Sequence, residues 1–224
     1  MSDNRRTKQR VLEAACDVFA RKGYRDATVQ EICAAADANV AAVNYYFSGK
    51  CNLYLAAWQH LSDTVQKEFF LKVAKTADPV ERLRKIILQR VRHAFDDGAA
   101  GRFREVIHRE IGDPTEAHEE IRKRFLRPMM DLVAGTVAEY LGVDVSDALA
   151  RRCAFSIHSQ LVSLARLRMK PDSTPLHKLL GGSAPTSEQI GELAEHLTTF
   201  VMGGLRAAAR SRNRPHTNGI AAKE

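Results

Sequence analysis

Between Thr28 and Lys50 the chain gathers side chains that exchange hydrogen bonds without making or breaking covalent ones: the hydroxyls of Thr28, Tyr45 and Tyr46, the amides of Gln30, Asn39 and Asn44, and the Lys50 ammonium. Hydroxyls and ammonium groups suit phosphate oxygens, and planar amides suit base edges, so the chemistry on offer is recognition of a polyanion. The sequence has no Gly-rich phosphate loop, no Ser or Cys nucleophile with a motif-spaced base and no paired-carboxylate signature, which argues against an enzyme. His108, Glu110 and His118 come nearest to a metal set. Positions two apart point to different faces of a helix and His118 lies beyond a Gly112 to Pro114 break, so structural or polar-pocket roles are preferred and no metal or other cofactor is expected. Cys16, Cys33, Cys51 and Cys153 form no C-x-x-C pair and read as reduced, mostly buried small hydrophobes.

The elements that must hold this group are helical. Val11, Leu12, Ala15, Val18 and Phe19 repeat at three-and-four spacing in a helix from about Asn4 to Lys22, which Gly23 closes. Thr28 followed by Glu31 predicts a capping box in which each side chain satisfies the other's free backbone amide. The second helix then runs to about Ala36, Asp37 takes the left-handed turn and Asn39 caps a third helix. On that helix Val40, Val43 and Phe47 face the core, while Ala41, Ala42, Asn44, Tyr45 and Tyr46 stay wholly or partly accessible. Short helix, tight turn and short helix describe a helix-turn-helix able to enter a major groove; on periodicity alone, a small bundle with half-packed tyrosines is the alternative.

After Ser48 and Gly49 a longer helix carries Leu53, Tyr54, Ala57, Trp58, Leu61 and Val65 to about Ala74. Further periodic stretches run from about Pro79 to Phe95, Arg102 to Ile111, Thr115 to Leu141, Val145 to Met169 and Thr186 to Arg210. Breaks fall at 96–98, 112–114, Gly142 and 171–185, the last read as a mobile loop, with a frayed end from Pro215. No stretch alternates with the period of a strand, so the fold class is all-α: an N-terminal three-helix helix-turn-helix domain at 1–54, a larger C-terminal domain at 55–212 and a disordered tail at 213–224.

The chain has 224 residues, 45% of them hydrophobic, and a formal net charge of +7. Residues 61–202 are nearly balanced, with twenty-one Lys and Arg against twenty Asp and Glu, so the surplus sits at the ends. Arg5, Arg6, Lys8 and Arg10 read as a phosphate-contacting arm before the first helix. Arg206, Arg210, Arg212 and Arg214 suit the negative end of the last helix dipole. No apolar run approaches a membrane span and the polar N-terminus is unlike a signal peptide, so a cytoplasmic location with no membrane partner is expected.

Phe19 to Ile32 (FARKGYRDATVQEI), followed by Tyr45-Tyr46-Phe47 and Lys50 to Leu53, strongly resembles the DNA-binding domain of the TetR family of regulators over roughly residues 7–54. The resemblance rests on an ordered string: Gly-aromatic after the first helix, the capping Thr, Ile, an aromatic run ending in Phe, then Lys. It implies phosphate contact by Thr28, Tyr46 and Lys50, and base or groove contact by Gln30, Ala42, Asn44 and Tyr45, with Asn39 in the turn. Asn44 and Gln30 suit adenine and the Ala42 methyl suits a thymine methyl. The chain departs from the family pattern at three places: Asp37 stands for its turn glycine, Asn44 for an aromatic, and Gly49-Lys50-Cys51 for Ser-Lys-Glu.

The string from His108 to Thr115 (HREIGDPT), with a later Pro128, is similar to a C-terminal subgroup of the family linked to drug and antibiotic sensitivity. A small-molecule effector pocket is expected among Phe103, Ile107, Phe125, Met129, Phe155 and His158, with plain core as the competing reading for each. The resemblance further implies a homodimer built from the last two long helices, for which Leu161, Leu164, Leu193, Leu197, Phe200 and Val201 are apolar candidates. Such a dimer would bind double-stranded DNA at a palindromic operator, and effector binding would relieve repression. A ligand-blind architectural or activating DNA binder, and a helical enzyme or interaction module with an idle helix-turn-helix, are the other classes.

Overall fold

Thr28 at the head of one helix, Asp78 at the head of another and Asp147 at a third each turn a side-chain oxygen onto free backbone amides, and this capping sets the boundaries of an all-helical chain. The computed structural model describes residues 2–96, 98–167 and 185–212. Among them the elements are α1 (Ser2–Asp26), α2 (Val29–Ala35), α3 (Ala41–Phe47), α4 (Lys50–Ala74), α5 (Pro79–Ala94) and α6 (Ala99–Gly112). They continue with α7 (His118–Ile121), a π-helical segment (Arg122–Leu126), α8 (Arg127–Leu141), α9 (Ala148–Leu167) and α10 (Ser187–Arg212). Residues 171–184 of the expected 171–185 loop and the tail at 213–224 lie outside the described residues.

Gly23 ends the regular part of α1 as expected, at φ 79° and ψ 178°, a backbone that only glycine adopts without strain, and one more turn follows to Asp26. The basic arm is itself helical, since α1 begins at Ser2. The capping box at Thr28 is half formed. Thr28 accepts from the Glu31 amide at 3.1 Å, but the Glu31 carboxylate turns to Lys22 at 2.9 Å and Arg21 at 3.7 Å, because two cations on α1 outcompete one amide. A reciprocal box forms instead at Thr186 and Gln189, where α10 starts.

The stretch from Thr115 to Leu141 is interrupted. Pro128 has no amide to give the Arg124 carbonyl and its ring would press on it, so the chain widens just before: the Arg127 amide reaches back five residues to the Arg122 carbonyl. Gly142 closes α8 in the left-handed conformation, at φ 63°.

Two apolar clusters form the interior. The first joins Val11, Val18, Phe19, Ile32, Val43 and Phe47 of the first three helices to Leu53, Trp58 and Leu61 of α4, and continues without a gap into Phe103, Val106, Ile121 and Phe125. The second holds α5, α8, α9 and α10 together through residues such as Ile86, Val91, Val137, Ile157 and Leu205. At 112 to 118 the chain passes over the end of α1 and the start of α4, so the smaller helical module is packed onto the larger one. No helix among the described residues is long and apolar enough to cross a membrane.

Candidate nucleic-acid interface

α2 and α3 are short because each is stopped by a residue in the left-handed region: Asp37 at φ 48° and Ser48 at φ 57°. Arg10 clips the first of these turns by donating to the Asp37 carbonyl at 2.9 Å, so one member of the basic arm is already committed to the protein. Asn39 accepts from the Ala41 amide at 2.9 Å and starts α3. Val43 and Phe47 are buried and anchor the helix. Val40 is 41% exposed, contrary to its expected place in the core: it stands before the first turn of α3, outside the part of the helix that Val43 and Phe47 anchor.

The opposite side of α3 is open. Asn44 is exposed, Ala42 and Tyr46 are half-buried, and Tyr45 is 74% exposed, its ring set edge-on against Tyr46 at 4.9 Å. Thr28 and Gln30 are exposed at the N-terminus of α2. Lys50 opens α4 with its ammonium 4.5 Å over the Tyr24 ring and 3.3 Å from the Arg25 carbonyl, and burial lowers its pKa. The structure therefore brings the eight sequence-derived residues to the surface formed by α2, the turn, α3 and the start of α4. Thr28, Asn39 and Lys50 each spend one hydrogen bond within the protein, while Gln30, Asn44 and Tyr45 are exposed.

Behind this surface lies a polar junction that the sequence reading missed. The Glu110 carboxylate of α6 is buried, accepts from the Tyr54 hydroxyl at 2.9 Å, from the Thr115 amide at 3.0 Å and from the Thr115 hydroxyl at 3.1 Å, and meets His118 Nδ1 at 3.1 Å. His118 thus returns to Glu110 despite the intervening break, as a hydrogen-bond partner. Among the described residues no three His, Cys, Asp or Glu side chains converge as a metal set. Arg109 donates to the Ala20 and Arg21 carbonyls at the end of α1, Arg25 binds Asp113 at 2.7 Å and the Pro114 carbonyl at 3.1 Å, and Tyr24 bonds Glu116. A cavity of about 270 Å³ opens among these groups. The signal was present in the sequence: Phe103, Val106 and Ile107 mark an apolar stripe whose next position is a glutamate, and a carboxylate there must find partners.

The expected pocket residues separate. Phe103 and Phe125 pack on Trp58 at ring distances of 5.5 and 5.6 Å, and Ile107 lies against the same cluster, so these three belong to the core joining the two modules. Met129 is buried and His158 half-buried. Phe155 points outward at 71% exposure, because the inner face of α9 is taken by Ala154, Ile157 and Leu161. Of the expected dimer residues, Leu161, Leu164 and Val201 are buried within the protomer, Leu193 and Leu197 are half-buried and Phe200 is 64% exposed.

Residues 11–57 match the model of bacterial regulatory proteins of the tetR family. Residues 79–205 match the C-terminal domain of the HTH-type transcriptional dual regulator CecR. The chain belongs to the TetR family of transcriptional regulators. Among its TetR-family relatives, the HTH-type transcriptional dual regulator CecR of Shigella flexneri is 29% identical across 88% of this chain and 92% of the relative. Two solved TetR-like structures share the fold. FadR of Bacillus subtilis in complex with stearoyl-CoA has a TM-score of 0.65 at 14% identity, covering 88% of this chain and 98% of that one. AibR in complex with isovaleryl coenzyme A and operator DNA has a TM-score of 0.64 at 22% identity, covering 87% and 97%.

Proposed function

We propose that the protein is a ligand-responsive repressor that binds a palindromic DNA operator as a homodimer in the cytoplasm. Residues 1–54 read the DNA, and residues 55–212 sense the effector and form the dimer. The observation that carries the reading is the open face of α3, where Tyr45 and Asn44 stand free beside Thr28, Gln30 and Lys50 while the rest of the module is packed. In the dimer two such faces address half-sites about one helical turn, roughly 34 Å, apart or a multiple of it.

Exposed Phe155 on α9 and exposed Phe200 on α10 support pairing of these helices with their mates, and the exposed Gly203 and Gly204 beside Phe200 allow close approach. The same arrangement suggests the coupling. α6 packs on both α1 and α4, and its far end carries Arg109 and Glu110, so a shift of α6 on effector binding would re-aim α3. That FadR and AibR were solved with acyl-coenzyme A ligands, the latter also with operator DNA, supports a regulator of this kind.

The test is binding of the purified protein to the DNA upstream of its own coding sequence and to a scrambled duplex, at two salt concentrations. Selective binding that weakens with salt supports the reading, because phosphate contacts release counterions. Salt-insensitive or absent binding to every duplex, including those recovered from a random-sequence selection, would overturn it.

A further inference from the structure

α5 turns Leu83, Ile86, Ile87, Val91 and Ala94 into the second apolar cluster, and all five are buried. Arg90 stands on that same stripe, three residues after Ile87 and four before Ala94, where helical periodicity calls for an apolar side chain. A guanidinium keeps its charge at neutral pH, so one drawn out of water needs an acceptor. Arg82 and Arg84 on the same helix have theirs, Glu139 and Glu195. The Arg90 guanidinium makes no hydrogen bond or ion pair among the described residues, and burial pushes its pKa down to about 10.

The groups around Arg90 add donors. His93 lies one turn further along α5, and His158 comes from α9, which packs against α5. Burial first and the Arg90 charge second lower the pKa of both histidines, that of His93 to about 4. Gln89 bonds the His93 ring. Arg104 also acts on His93 but is occupied by the His93, Ala94 and Asp96 carbonyls. Asp96, the carboxylate acting on His93, is spent on the Gly98 and Gly101 amides that start α6. Arg90 is half-buried and keeps some contact with solvent, so a small anion can reach it.

We propose that Arg90, flanked by His93 and His158, anchors the anionic group of the effector, a small molecule bearing a carboxylate or a phosphate on an apolar body. The apolar body would lie along Ile86, Ile157 and Leu161, which line the same interior. This rests on the reading of the C-terminal helices as a sensing domain and specifies what they sense. A half-buried guanidinium with no protein acceptor is left to water in the free protein, and a bound anion would give it a partner, which is how ligand binding would reset the packing of α5 against α9.

The experiment titrates the full chain with decanoate, decyl phosphate and decanol below their micelle concentrations, following Trp58 fluorescence and calorimetric heat. One of the anions is expected to bind about ten-fold or more tightly than decanol, the increment of one charge-assisted hydrogen-bond set, and the two anionic arms tell carboxylate from phosphate. Arg90→Met should erase that preference while melting at or above the wild-type temperature without ligand. Arg90→Lys, which keeps the charge if the Met variant fails to fold, should retain part of the preference. Equal affinity for the three probes, none measurable included, or a preference that survives in Arg90→Met, overturns the proposal. Operator binding on the same preparations separates the two readings: intact operator selection without anion preference removes the anion site alone, and anion preference without operator selection removes the repressor alone.

Discussion

Tyr54 donates its hydroxyl to Glu110 across 2.9 Å with both side chains closed to solvent, and the bond crosses between the two modules. Tyr54 lies on the first turns of α4, the helix that follows α3, and Glu110 lies near the end of α6. Tyr54→Phe should leave one carboxylate oxygen short of a donor in a dry site and cost about 1–3 kcal/mol. Urea unfolding would measure it, and an unchanged midpoint would show that water or Thr115 replaces the hydroxyl at no cost. The single tryptophan, Trp58, sits one turn along α4 with Tyr54 at 6.4 Å, so its emission should shift in the same variant.

Tyr45 should bear on operator affinity and not on the fold. Its ring is exposed and touches Tyr46 edge-on, so Tyr45→Ala should move stability by less than about 0.5 kcal/mol. Loss of its groove contact should cost about 1–3 kcal/mol in binding to the preferred duplex and much less on scrambled DNA. Anisotropy titrations on both duplexes check this, and equal losses on the two would reassign Tyr45 to phosphate contact.

Lys50 should behave in the opposite way. A cation lying on the Tyr24 ring at the head of α4 contributes charge without base readout, so Lys50→Gln should weaken all duplexes alike and lower the slope of log affinity against log salt by about one. A sequence-dependent loss would contradict the role.

Helix existence was legible because three-and-four periodicity survives whatever packs against it, and the Thr28, Asp37 and Asn39 signals are local chemistry that the fold did not override. The Thr28 capping box and Val40 misled for a shared reason: each was judged within its own segment, while α1 supplied competing cations for Glu31 and Val40 stays outside the core that Val43 and Phe47 enter. Phe155 and Met129 show the limit of composition. Both are large and apolar, yet one is 71% exposed and the other 5%, and only the neighbouring helices decide which. Glu110 and Arg90 were the overlooked signals, charged residues on apolar stripes that announce a buried partner or a ligand.

Phe200 tests the dimer. An exposed phenylalanine beside Gly203 and Gly204 on α10 makes no contribution to the protomer interior, so Phe200→Asp should leave helix content and melting of the isolated protomer nearly intact. Placed in a two-fold interface the two introduced carboxylates would repel and lose their water, and the dimer should dissociate at micromolar concentration. Sedimentation equilibrium reads the mass, and operator affinity should fall with it because two half-sites no longer engage together. A dimer that survives the substitution would place the interface elsewhere.

Stability should fall on mild acidification through His93. Its folded pKa, about 4, lies below the unfolded value of 6.5 because burial and the Arg90 and Arg104 charges oppose a second positive charge, only partly offset by Asp96. As pH drops through 6.5 the unfolded chain therefore takes up the proton first, and the free energy of unfolding declines between pH 6.5 and 4 while staying flat above 7. Between pH 7 and 5 the loss should be about 1–2 kcal/mol, with His158 adding to it in the same direction. His93→Asn keeps the size and removes the titration, so its denaturation midpoints should vary less with pH over that window. The same slope in variant and wild type would move the acid sensitivity to other groups, and a shallower slope in the presence of decanoate or decyl phosphate would show an anion relieving the repulsion between Arg90 and a protonated His93.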